Sequence, residues 1–99
     1  MLARNEILDT LRQQMPLLRK EFHVNEIALF GSYARNQANS GSDIDFLVSF
    51  FPSIKNYIET KEALRAYLSK LFEKKVDLAN PRSLKPHFKE RILQQAIYA

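Results

Sequence analysis

Residues 31–45 read GSYARNQANSGSDID. The 99-residue chain has only two glycines, Gly31 and Gly41, and both fall here, beside the Asp43-Ile44-Asp45 triplet. A short apolar run lies on either side. Glu26 to Phe30, EIALF, has the bulk of a buried strand and stops at Gly31; Ile44 to Phe50, IDFLVSF, is a second such run that Pro52 ends. The quoted stretch therefore leaves the end of one buried strand and returns at the head of the next, a connection of the kind that carries ligands.

Working outward, Ile7, Leu8, Leu11, Met15 and Leu18 recur at helical spacing, so the first twenty or so residues form an amphipathic helix in which Pro16 removes a backbone donor and introduces a kink. From Ser53 to Phe72, the residues Ile54, Tyr57, Ile58, Ala63, Leu64, Tyr67, Leu68 and Leu71 trace one apolar face of a long helix. Val76 to Leu78 makes a short strand, and Ser83 caps a last helix carrying Leu84, Phe88, Ile92, Leu93 and Ile97. The order is helix, strand, strand, helix, strand, helix. It gives an α/β (α+β) fold in one domain spanning 1–99, with no repeat, low-complexity tract or linker.

Composition narrows the function. A 45% apolar and 26% charged chain of this length folds around one core. It has no cysteine, which removes disulfides, thiolate metal sites and thiol nucleophiles, and two scattered histidines make no zinc cage. No apolar run reaches the roughly 20 residues of a membrane span, and Arg4, Glu6 and Asp9 stand where a signal peptide needs its apolar core. A cytoplasmic protein with no membrane partner is the expectation. The net charge of +4 suits a polyanion, yet Lys and Arg are spread along the chain without a block or an accompanying nucleic-acid motif, so direct nucleic-acid binding ranks last.

The chemistry lies in the turn and the carboxylates. Gly31 lets backbone approach a ligand closely, and if Ser32 to Arg35 open a short helix, free N–H groups face an anion such as phosphate. Asp43 and Asp45, two apart at the head of a strand, project from one sheet face with backbones roughly 6.6 Å apart. Asp77 interrupts another apolar strand. Three carboxylates in segments that otherwise favour burial raise one another's pKa unless a cation sits among them. An oxygen-only set suits Mg2+ or Mn2+ rather than zinc.

This arrangement resembles a known family. Gly31-Ser32, ten residues, then Asp43-Ile44-Asp45 looks like the signature of the polymerase-beta-type nucleotidyltransferase superfamily. FGSYAR at Phe30 to Arg35, SDIDFLV at Ser42 to Val48, VDL at Val76 to Leu78 and the tail LKPHFKERILQQAIYA are similar to its minimal nucleotidyltransferase branch. The resemblance implies the polymerase-beta-like fold, a small mixed sheet packed against helices. It implies that Gly31 and Ser32 hold the triphosphate of ATP, that Asp43 and Asp45 bind two Mg2+ ions, and that Asp77 shares the second metal and helps deprotonate the attacking hydroxyl. Ser42 is a further nucleotide-binding candidate. Arg35 either contacts phosphate or braces the loop. The implied partner is a HEPN-domain ribonuclease toxin, adenylylated on a tyrosine by this chain acting as its antitoxin. The alternative is a nucleotide-binding but non-catalytic module that neutralises its partner by contact. Homo- or hetero-oligomerisation is left open.

Two residues depart from the family pattern. Asn36 stands where a second glycine is common, and asparagine tolerates the positive φ such a turn needs. Phe46 replaces a usual leucine. His23 and His87 lie outside the motif and read as surface or packing residues.

Overall fold

The computed structural model describes residues 2–99. Helix α1 (Arg4–Phe22) leads into strand β1 (Val24–Phe30), the single turn α2 (Gly31–Ala34) and strand β2 (Ile44–Phe50). Helix α3 (Tyr57–Phe72), strand β3 (Val76–Ala79), a 3₁₀ turn over Pro81–Ser83, helix α4 (Pro86–Gln95) and strand β4 (Ile97–Tyr98) complete it. The strands form one mixed sheet in the order β3-β2-β1-β4. β1 pairs antiparallel with β2 and β4, whereas β2 and β3 run parallel. Among the described residues no helix is long and apolar enough to cross a membrane.

One face of the sheet makes the core. Ile27 and Leu29 of β1, Ile44, Phe46 and Val48 of β2 and Val76 of β3 are buried against Ile7, Leu11 and Leu18 of α1 and Leu64, Leu68 and Phe72 of α3. Strand periodicity of two explains the choice of residues, since alternate side chains share a face. Phe46 stacks at a tilt on Phe72, ring centroids 5.9 Å apart, so its extra bulk over leucine is used in packing. α1 and α3 are tied by Tyr67, whose hydroxyl donates to Gln14 Oε1 at 2.6 Å and whose ring meets Phe22.

Several boundaries differ from the sequence reading. α1 runs through Pro16 as read, held by five buried side chains and by Glu6 accepting the Ala3 N–H at 3.2 Å, but it ends only at Phe22. α3 begins at Tyr57 rather than Ser53, after a turn closed by Ile54 N–H donating to the Phe51 carbonyl. The last helix starts after Lys85, which makes no side-chain cap, rather than after Ser83: Pro86 sits in its first turn and forces Lys85 extended, while Ser83 belongs to a 3₁₀ turn whose Asn80 side chain accepts the Arg82 N–H. Ile97, expected on that helix, lies in β4 opposite Leu29.

Candidate active site

Gly31 is the hinge between sheet and site. It has φ of +76°, a conformation open to glycine at little cost, and a Cβ there would collide with the Asp45 carboxylate, lying 3.1 Å from its Cγ and overlapping Oδ2. The register gives the reason: Phe30 is paired with Asp45 across β1 and β2, so the turn that follows Phe30 folds directly over the Asp45 side chain. The turn closes with Arg35 N–H on the Gly31 carbonyl at 3.1 Å and Gln37 N–H on the Ser32 carbonyl at 2.8 Å. Asn36 takes φ of +57°, as expected of an asparagine replacing glycine.

On its other side Asp45 is paired with Asp77 in the parallel β2–β3 ladder. Ile44 and Val76 are buried on the core face, so Asp43, Asp45 and Asp77 all project from the opposite one. Asp45 is thus confined between glycine backbone and a second carboxylate. Its pKa is pushed up to about 6, first by burial, then by the charges of Asp77 and Asp43, with Arg35 opposing. Asp43 faces Lys75, whose Nζ lies 3.7 Å from Oδ2. Asp77 is exposed on the outer strand and borders a cleft of about 340 Å³ with Tyr57, Lys61, Glu62 and Arg65 of α3.

The carboxylates share a face without converging on one centre: among the described residues no three His, Cys, Asp or Glu side chains are placed to hold a metal ion together. The donors on this face are carboxylate oxygens, the ligand type Mg2+ takes from one or two protein carboxylates when substrate phosphates complete its shell. Burial is the larger cause of the raised Asp45 pKa, and the repulsion from Asp77 and Asp43 that adds to it is the part an added cation would offset.

The remaining candidates are placed more peripherally. Ser32, half-buried, occupies the second position of α2. Ser42 is engaged within the loop, its Oγ accepting the Asn39 N–H at 3.0 Å. Arg35 donates to Gln37 and Gln95, both at 3.1 Å, so it braces the loop against α4 while its charge still reaches Asp45. Lys75 is the residue of this region that sequence reasoning passed over. Its only signal was position: it precedes Asp77 by two, as Asp43 precedes Asp45.

The nucleotidyltransferase domain family matches residues 6–99 of this chain. The chain belongs to that family. Similar members include the protein adenylyltransferase MntA of Thermococcus cleftensis, 39% identical over 100 residues covering 99% of this chain and 97% of MntA. A candidate protein adenylyltransferase of Methanocaldococcus jannaschii is 42% identical over 95 residues, 95% of each chain. Among solved structures, a candidate minimal nucleotidyltransferase superposes with a TM-score of 0.78 at 29% identity, covering 97% of this chain and 95% of that one. A toxin–antitoxin structure with AMP-PNP gives a TM-score of 0.65 at 27% identity, covering 98% and 72%. A complex of tri-AMPylated Shewanella oneidensis HEPN toxin with MNT antitoxin gives 0.55 at 25% identity, covering 96% and 66%. The small mixed sheet with flanking helices is the minimal nucleotidyltransferase fold.

Proposed function

We propose that this nucleotidyltransferase is a Mg2+-dependent protein adenylyltransferase that moves AMP from ATP to a tyrosine hydroxyl of a HEPN-type ribonuclease toxin and acts as its antitoxin. The observation that carries the reading is the placement of Asp45, packed on Gly31 and in register with Asp77. The glycine turn that this reading assigns to phosphate thereby lies directly against the carboxylate pair it assigns to the metal. The AMP-PNP in one structural neighbour and the AMPylated toxin in another support the choice of donor and acceptor.

Gly31 and Ser32 hold the triphosphate through backbone N–H groups and the serine hydroxyl. Asp43 and Asp45 would hold Mg2+, which would supply positive charge at the alpha-phosphate and lower the pKa of the attacking hydroxyl. Asp77, exposed at the sheet edge, accepts the hydroxyl proton. The bond formed joins tyrosine oxygen to the alpha-phosphorus; the bond broken is the bridge to the beta-phosphate, and pyrophosphate leaves. Arg35 keeps the loop in place. Incubating the protein with such a toxin, Mg2+ and ATP should leave covalent AMP on the toxin and abolish its ribonuclease activity, and Asp45→Asn should do neither. Neutralisation without modification would favour the contact-only alternative.

A further inference from the structure

Asp43 already faces a cation. The Ile44 N–H donates to the Lys75 carbonyl at 3.0 Å, which locks the mouth of β2 to the mouth of β3. The register continues Ile44 with Val76 and Asp45 with Asp77. Since Ile44 and Val76 are both 0% exposed on the core face, residues 43 and 45 of one strand and 75 and 77 of the other lie together on the opposite face. They form a square with Asp43 beside Lys75 at the mouth and Asp45 beside Asp77 one step further in. Lys75 is delivered there by the end of α3, where Glu73 turns left-handed at φ of +53° and Ser69 accepts the Lys74 N–H on its carbonyl. The neighbouring Lys74 is used elsewhere, its Nζ donating to the Ser40 carbonyl at 3.0 Å.

We propose that Lys75 is the resident counter-ion of this carboxylate group, one that releases Asp43 to a divalent cation arriving with nucleotide and then turns its ammonium to the nucleotide phosphates. The inference rests on the proposed nucleotide site. The pair is exposed, 70% for the lysine side chain and 37% for the aspartate, and an exposed ion pair is weak enough to be exchanged. A divalent cation on Asp43 and Asp45 alone must be bound against the repulsion of the displaced ammonium a few ångströms away. With nucleotide present, that ammonium gains a polyphosphate. Lys75 therefore opposes the metal by itself and favours the metal with nucleotide, so that the two load together. It acts as a positioning residue at the carboxylates and a binding residue toward phosphate.

Lys75→Met keeps the stem and removes the charge, and being at an exposed position it leaves the fold in place. Two titrations read the effect: MnCl2 into nucleotide-free protein, followed by electron paramagnetic resonance, and AMP-PNP into protein held in excess Mn2+, followed by calorimetry. In Lys75→Met the Kd for Mn2+ alone should fall about three- to tenfold while the Kd for AMP-PNP rises by about as much, both effects shrinking with added salt. Lys75→Arg should match wild type in both. No change in either Kd, or a change of the same sign in both, overturns the role of Lys75. A wild-type chain that binds neither Mn2+ nor AMP-PNP overturns the nucleotide site and the role of Lys75 with it.

Discussion

Replacing Asp45 by Asn should stabilise the metal-free protein, and only above pH 4. In the folded chain the Asp45 carboxyl titrates at about 6 against an ordinary 3.8, because it is half-buried and faces Asp77 and Asp43. Below the ordinary value the group is protonated in folded and unfolded chains alike, and its charge costs nothing. Between the two values the folded chain holds a proton that the unfolded chain has lost, so stability falls as pH rises through this window. Above it the full cost of the crowded charge is borne. A tenfold change in proton affinity corresponds to about 1.4 kcal/mol, which sets a ceiling of about 3 kcal/mol; solvent screening of a half-exposed carboxylate reduces it to about 1–2 kcal/mol. For a domain this small, each kcal/mol moves the melting midpoint by about 4–8 °C. Thermal melts in EDTA should therefore place Asp45→Asn about 5–15 °C above wild type at pH 8, with the two curves converging near pH 4. A gap independent of pH, or a variant less stable than wild type at pH 8, would refute the electrostatic origin of the strain at Asp45.

Two further outcomes follow from the same geometry. Gly31→Ala should cost about 1–3 kcal/mol in melting experiments, from positive φ and from collision with Asp45, and should abolish the thermal stabilisation by Mg2+ with AMP-PNP. In wild type, Mg2+ and AMP-PNP together should raise the midpoint by about 10 °C or more, since saturation at about 100 Kd contributes about 2.7 kcal/mol, while either alone should give little; an additive response would place the nucleotide elsewhere.

Much of this architecture is legible in the sequence because it depends on local pattern. The apolar runs of β1 and β2 and the long face of α3 identify their elements, and the two-residue period assigns Asp43 and Asp45 to one face before any pairing is known. The positive φ of Asn36 also follows from side-chain chemistry. What depends on long-range pairing does not show. Nothing local marks Ile97 and Tyr98 as a strand: Ile97 follows Leu93 at the helical spacing of four, and only its place opposite Leu29 makes it β4. The apolar residues that the sequence places on the last helix do not tell how deeply it packs: α4 contributes no buried residue, and Phe88 is half exposed. Lys75 acquires meaning only through the parallel register that sets it against Asp43.

Transfer of AMP to a toxin tyrosine is tested most directly by supplying ATP labelled either at the alpha- or at the gamma-phosphate to the purified protein, Mg2+ and a HEPN-type toxin, and mapping the labelled peptide by mass spectrometry. The alpha label should appear covalently on a tyrosine of the toxin, the gamma label only in released pyrophosphate, and neither should be transferred by Asp43→Asn or Asp45→Asn protein. Gamma label on the toxin, release of free phosphate instead of pyrophosphate, or undiminished transfer by the Asp45→Asn protein would contradict nucleotidyl transfer at these carboxylates.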